Sequence, residues 1–418
     1  MDDAKRFHYL AEINSAFTPG APIHSRDLFA GRTKQVERVL NTIFQRGQHA
    51  ILFGERGVGK TSLANTLFDL LVLSGKSNYR LARINCSAQM RFEEIWRAIF
   101  KQITIDAEET GLTTLDQLLP DNPHPENIRE TFQLIHEPSI IIIDEMDRIS
   151  DSETQAAIAD TIKTLSDNSI DTTLIMVGVG DSVDQLIAEH RSIDRNIAQV
   201  RMPRMSKYEL LEIVDKGSSK CKLAIDVAVR ERLADFAQGL PSYTHLLARE
   251  AALQAVRSDR TTVAMEDLNV AIREAVDNHL ETLLTAYNAA VSAPRGQNFR
   301  PVLLACALAI KDDQSFFFTK NVIQPLRMIT NEQYEIPAFS RHLKAFRGDS
   351  RGPILERRGE RRKYRFRFTE PLMEPYVILR GLTDGLITEE QLNHPSPTST
   401  ELGQLSLLSA SVGPPIEI

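Results

Sequence analysis

Cysteine is scarce. Only Cys86, Cys221 and Cys306 occur in 418 residues, far apart from one another. They form neither a disulfide framework nor a paired metal spacing, which suits a reducing compartment. No stretch approaches 18 uninterrupted apolar residues, so a transmembrane helix is excluded. The opening residues, MDDAKRFHYLAEINS, are charged and carry no apolar signal core. The expectation is a cytoplasmic protein with no membrane association. Aromatics make up 6% of the chain, with Trp96 the single tryptophan. Against these absences stand 42% apolar and 25% charged residues, an ordinary balance for a folded chain. The length points to two or three domains.

Acids outnumber bases overall, giving a net charge of −7. The excess is uneven. Residues 341–367 hold eleven cations (Arg341, Lys344, Arg347, Arg351, Arg357, Arg358, Arg361, Arg362, Lys363, Arg365 and Arg367) against Asp349, Glu356 and Glu360. That stretch is +8 and the rest of the chain −15. A basic island on an acidic protein suggests one surface for a polyanion.

The first half alternates short apolar runs with helical patterns. Strands are predicted at 49–53, 79–85, 139–144, 172–179 and 197–202, with helices between them. Such alternation implies a parallel sheet covered on both faces. Residues 113–126, with Pro120, Pro123 and Pro125, read as a surface excursion. Residues 206–281 read as helices only, and residues 285–300 loosen into a linker. Further helices follow, ending near 336–346. A hairpin then turns at Gly359, and a closing helix is predicted at 371–382. From about residue 393 the composition of Ser, Thr and Pro reads as a disordered tail.

The sharpest motif is Gly54-Glu55-Arg56-Gly57-Val58-Gly59-Lys60-Thr61, followed by Ser62. It is a complete G-x-x-x-x-G-K-T between a predicted strand and a predicted helix. The glycines let successive N–H groups face phosphate oxygens, and the helix N-terminus adds positive charge. Lys60 should reach the β- and γ-phosphates of ATP, and Thr61 should bind Mg²⁺. The apolar run 140–143 ends in Asp144-Glu145. Asp144 can hold Mg²⁺ directly or through water, and Glu145 is placed to polarise the attacking water. Adjacent Asp and Glu favour an ATPase over a kinase, and no Asn-Lys-x-Asp, the motif that reads guanine, is present.

The phosphate loop, the Asp-Glu strand end and the helical segment after the sheet together resemble AAA+ ATPases over roughly residues 20–282. With the basic C-terminal module, the chain resembles the origin-recognition and archaeal-initiator branch. The resemblance implies a P-loop parallel sheet in residues 1–205, an all-helical lid in 206–282 and a linker in 283–300. A winged-helix-like basic domain follows in 301–385, with the tail at 393–418. It implies that Gly31-Arg32 lies near the adenine, that Asp181 is the first sensor, and that Arg195 is an arginine finger, with Arg191 the alternative. Gly31-Arg32 reads equally as a helix-capping turn, and Arg195 also as a surface salt bridge to Asp194 or Glu189. Asp181 reads equally as a helix cap with Ser182. Where the family has an arginine at the start of the third lid helix, this chain reads Gly239-Leu240-Pro241, with no arginine until Arg249. That turn resembles STAND-type signalling ATPases.

The C-terminal module follows the order of a winged helix. Phe339, Leu343 and Phe346 should bury one helix face while Arg341, Lys344 and Arg347 project elsewhere. Tyr364, Phe366 and Phe368 alternate with Arg365 and Arg367 along the hairpin. The cations Arg341, Lys344, Arg347, Arg357, Arg358, Arg361, Arg362, Lys363, Arg365 and Arg367 would contact duplex DNA with weak sequence specificity. The alternative is a protein partner for the basic module, in a STAND-like switch. An arginine finger implies a homo-oligomer.

Overall fold

The structure is a computed structural model. It describes residues 1–23, 25–73, 78–107, 111–181, 183, 186–187, 194–279, 281–292, 298–360 and 363–393. The tail at 394–418 and the positions of Ser182, Arg191, Arg361 and Arg362 lie outside the described residues. The chain separates into two compact units, Met1–Met265 and Glu266–Ile418.

The first unit opens with α1 (Asp3–Ala16) and α2 (Thr33–Ile43). It continues through β1 (His49–Gly54), α3 (Lys60–Leu73), β2 (Arg80–Asn85), α4 (Phe92–Phe100), β3 (Thr104–Ala107), β4 (Gly111–Thr114) and α5 (Pro125–Gln133). Then come β5 (Ser139–Asp144), α6 (Ser152–Asp167), β6 (Thr172–Val179) and β7 (Ile197–Arg201). Five of these strands form one parallel sheet in the order β2-β5-β6-β1-β7. β5 is buried along its whole length and β6 at all but Val179. Continuous apolar runs are what a strand covered on both faces requires. β2, at the edge, buries only Ala82 and Ile84, in alternation. Trp96 is fully buried, with the rings of Phe92, Phe100 and Phe132 around it at 5.6–6.1 Å.

Residues 113–126 are not the surface excursion expected. Leu115 is fully buried and Leu119 nearly so, both in the core cluster that holds Trp96. The segment follows a β3–β4 hairpin, and Pro125 opens α5 at its first turn, where a missing N–H is harmless. Prolines fixed the turns there without lifting the two leucines into solvent.

The helical end of this unit holds α7 (Lys207–Cys221), β8 (Ala224–Ile225), α8 (Val227–Ala237), α9 (Pro241–Arg257) and β9 (Thr262–Val263). The short strands β8 and β9 pair in parallel and were not foreseen. Ser206 caps α7 through a reciprocal box with Glu209. α1 packs on α7 and α9, and Phe17, just past its end, fills the space a Cβ at Gly217 would need, 2.2 Å away.

The second unit begins with α10 (Met265–Glu274), a π-turn at Ala275–His279 and α11 (Glu281–Val291). α11 occupies half of the stretch 283–300 expected as a linker. Leu283, Tyr287, Ala290 and Val291 are buried at helical spacing, which is why the segment folds. Then come α12 (Phe299–Leu308), β10 (Phe317–Phe318), α13 (Ile323–Thr330), α14 (Ile336–Ala345), β11 (Leu355–Arg358), β12 (Arg365–Phe368), α15 (Met373–Thr383) and α16 (Glu389–Asn393). The antiparallel sheet runs β10-β12-β11. In this unit α12, α13 and α14 and the strands of this sheet follow in the order α12-β10-α13-α14-β11-β12. β10, only two residues long, was not expected. The three cysteines are buried and free. Among the described residues no helix is long and apolar enough to cross a membrane.

Candidate functional site

The carboxyl ends of β1, β5 and β6 lie side by side, so Gly54, Asp144 and Val179 emerge at one edge of the sheet. Between β1 and α3 the chain folds into the phosphate loop, with φ of 152°, 83° and 93° at Gly54, Gly57 and Gly59. A Cβ at Gly54 would stand 2.4 Å from the Met202 carbonyl oxygen, so only glycine fits there. The Lys60 ammonium folds back into the loop, donating to the carbonyls of Gly54 (3.1 Å) and Glu55 (2.7 Å). Burial pushes Lys60 down to about 8, against the pull of the Asp147, Asp144 and Glu55 carboxylates, while Arg56 adds a small push the same way.

Arg32 belongs to this site. It is 1% exposed, and its guanidinium donates to the Val58 carbonyl in the loop at 2.7 Å. Burial lowers it to about 10, so it stays charged at neutral pH, with Glu209 favouring that charge. Its own backbone N–H donates to Glu209 of α7 at 2.8 Å. The Ser62 hydroxyl accepts from the Ile23 N–H at 3.1 Å, tying the segment before α2 to α3. Thr61, the second residue of α3, is partly buried beside it.

Asp144 is 3% exposed at the end of β5. Its Oδ1 accepts from the Glu145 N–H and its Oδ2 from Arg83 on β2, both at 2.8 Å. Glu145 takes a left-handed backbone, φ 58°, and its carboxylate is ion-paired to Arg148 at 2.8 Å. Asp181 is partly buried one residue beyond Gly180, whose N–H faces the Gly54 carbonyl at 3.4 Å. The acid with the largest pull on Lys60 is instead Asp147, which accepts from the Val179 N–H at 2.7 Å. Asp147, Arg83 and Arg148 carry no motif signal. Mg²⁺ typically takes one or two carboxylates and completes its shell with phosphate oxygens and water. The donor set here fits that habit: Asp144 and Thr61 flank the loop, and no group of three or more His, Cys, Asp or Glu among the described residues could hold a metal alone.

Arg195 is exposed in the turn before β7, its carbonyl accepting from Gln48 at 3.3 Å. Arg249 is engaged by Asn14 at 2.8 Å and Glu250 at 2.6 Å. Pro241 of the Gly-Leu-Pro turn lies 3.9 Å from where a Cβ on Gly59 would stand, so this turn and the N-terminus of α9 abut the phosphate loop. Burial lowers His245 to about 4, leaving it neutral and packed edge-on against Phe17.

In the second unit the basic residues divide. Arg341 and Lys344 are exposed on α14, and Arg347 is partly exposed past its end. Arg365 is ion-paired to Asp312 at 2.8 Å and Arg367 to Glu356 through Nε at 2.6 Å. Arg358, Arg365 and Arg367 cover the ring of buried Phe316, and Arg357 stacks 3.9 Å over Tyr364. Lys363 is exposed beside the turn. Phe366 and Phe368 are buried, whereas Tyr364 remains partly exposed.

Comparison with known proteins bears on the same residues. Residues 43–187 match the family model described as AAA domain. No curated protein matches the sequence. Among solved structures, the chain is similar to the Walker-type ATPase of Pyrococcus abyssi, with 14% identity, 86% of this chain and 99% of that one covered, and a TM-score of 0.50. It is also similar to Cdc6p from Pyrobaculum aerophilum (16% identity, 90% and 99% covered, TM-score 0.46). The Aeropyrum pernix ORC1 protein, solved in complex with DNA, gives 17% identity, 90% and 97% coverage and a TM-score of 0.47. At such identities the likeness concerns the fold alone. The phosphate loop and the acid-ended strand β5 both fall within the segment that matches the AAA domain model.

Proposed function

We propose that the chain hydrolyses ATP to ADP and phosphate and, in the manner of initiators and loaders, acts at DNA through its basic winged helix. The observation that carries the reading is Lys60, folded into a glycine loop within the field of Asp144 at the end of β5 and of Asp147 in the turn that follows it. On ATP binding, Lys60 exchanges the two carbonyls for phosphate oxygens, joined by the N–H groups of residues 55–62. Arg32 fixes the loop from behind through Val58. Thr61 and Asp144 would hold Mg²⁺, which when bound neutralises phosphate charge. Glu145, once it leaves Arg148, orients and deprotonates the attacking water. Asp181 would sense the γ-phosphate from the end of β6. Arg195, exposed, would reach the ATP of a neighbouring copy and offset transition-state charge there.

The proposed division keeps residues 1–205 as core, 206–282 as lid and 301–385 as the winged-helix-like domain of a cytoplasmic protein. Arg341, Lys344, Arg347, Arg357, Arg358 and Lys363 would meet duplex phosphates, and the absence of amide side chains from the exposed positions of α14 agrees with weak sequence preference. A second reading, a STAND-like switch whose basic module docks on protein, is favoured by the Gly-Leu-Pro turn lying against the loop. Turnover with and without duplex DNA at two salt concentrations decides between them. Salt-sensitive stimulation by DNA is expected; turnover indifferent to DNA, with no DNA binding at low salt, would favour the switch.

A further inference from the structure

Arg204 lies three residues beyond β7, outside every motif in the sequence. Its Nε donates to Glu55 Oε2 at 2.9 Å and its Nη1 to the Gln238 carbonyl at 3.1 Å. Glu55 is the second residue of the phosphate loop. Gln238 ends α8 and leads into the Gly239-Leu240-Pro241 turn. The ion pair is largely buried, with side chains 18% and 12% exposed. The other carboxylate oxygen, Oε1, is buried with no hydrogen-bond partner among the described residues. Gly239 has φ 80°, and a Cβ there would lie 2.7 Å from Arg204 Cβ. Its carbonyl accepts from the Met205 N–H at 2.8 Å. The turn is therefore closed onto Arg204, and Arg204 onto the loop.

A carboxylate inside a loop that cradles phosphates opposes its own ligand, and in a half-dry site that repulsion is poorly screened. A single guanidinium here cancels the charge and also holds the lid turn. We infer that Arg204 is a positioning residue that neutralises Glu55 for nucleotide entry and couples phosphate-loop occupancy to the seating of the Gly239–Pro241 turn. This rests on the ATP reading above. The coupling needs no arginine at the start of α9, because the cation comes from the β7–α7 connection instead.

The test measures affinity for a fluorescent ATP analogue together with amide exchange of residues 239–246, in full-length protein checked by circular dichroism. Arg204→Gln, which leaves Glu55 buried and unpaired, is expected to weaken binding about tenfold or more. Adding Glu55→Gln should bring affinity to within about threefold of the Glu55→Gln single variant, while ATP-induced protection of residues 239–246 stays lost. Arg204→Lys, which keeps the charge without the fork, should hold affinity better than Arg204→Gln yet still lose that protection. Loss of affinity that the second substitution does not recover would overturn the inference, as would an Arg204→Gln protein that binds and protects as wild type does. Absence of ATP binding by the wild-type protein would overturn the nucleotide reading and this inference together.

Discussion

Glu145 and Arg148 face each other across one 3₁₀ turn at 2.8 Å, each side chain about half exposed (45% and 52%). An ion pair this open contributes only about 0.5 kcal/mol, so water or nucleotide can displace it. The left-handed backbone of Glu145 is costlier, on the order of 1 kcal/mol, and it aims the carboxylate away from the helical path.

Glu145→Gln should therefore retain ATP and lose about a hundredfold or more in kcat. Arg148→Ala should raise kcat roughly two- to fivefold at constant KM, because it frees the carboxylate without touching the phosphates. Steady-state phosphate release reads both. Normal turnover by Glu145→Gln would remove Glu145 from the role of base.

Lys60 gives a pH signature with two opposite signs. Its folded value of about 8 lies below the ordinary 10.5 because burial disfavours the ammonium. Between those values the unfolded chain binds a proton that the folded one does not, so the stability of the nucleotide-free protein rises with pH there, by about 3 kcal/mol in total. Phosphates prefer the ammonium, so ATP affinity should fall above pH 8, by up to roughly tenfold per unit. Calorimetry at pH 8.5 in buffers of different ionisation enthalpy should register proton uptake on binding. Lys60→Ala should abolish binding, and with it the uptake.

Asp144 is buried at 4% side-chain exposure with Arg83 as its ion-pair partner. Arg83→Met would leave that carboxylate unpaired and should destabilise the first unit by about 3 kcal/mol. Mg²⁺ and ATP together should restore more of the loss than ATP alone, since a divalent ion at Asp144 replaces the missing charge. Thermal melts in the three conditions measure this. Equal protection with and without Mg²⁺ would separate Asp144 from the metal.

The basic residues of the second unit should divide in the same way as their contacts. Arg341→Ala and Lys344→Ala, on the exposed face of α14, should weaken duplex binding and reduce the log–log salt slope by about one each. Arg365→Ala and Arg367→Ala should instead lower the melting temperature, because Asp312 and Glu356 lose their partners and Phe316 loses its cover. Fluorescence anisotropy across a salt series, beside a melt, distinguishes the two groups.

The parallel sheet was legible because inner strands such as β5 leave a continuous apolar run, and the phosphate loop because its glycines serve one geometry. The helix at 281–291 was missed: Leu283, Tyr287, Ala290 and Val291 stand at helical spacing, but the alanines and asparagine among them read as a linker. Arg83 and Arg204, unlike Arg32, left no trace in the sequence. Arg204 stands 149 residues from Glu55 and Arg83 61 from Asp144, distances that no local pattern encodes. Even Asp147, two residues past Glu145, needed the turn itself to bring it beneath Val179 and toward Lys60.

Phe17 resting on Gly217 has a consequence for the order in which the molecule is made. The ring completes a core whose other walls, at Gly217 and His245, are synthesised about two hundred residues later. At roughly 5–20 residues per second, α1 waits some 10–40 s on the ribosome before its docking surface exists. Its closure therefore belongs to the last events in the folding of the first unit, after the sheet has every strand it needs. A nascent chain that ends between residues 202 and 257 would hold every strand of the five-stranded sheet and an N-terminal helix still lacking all or part of α9.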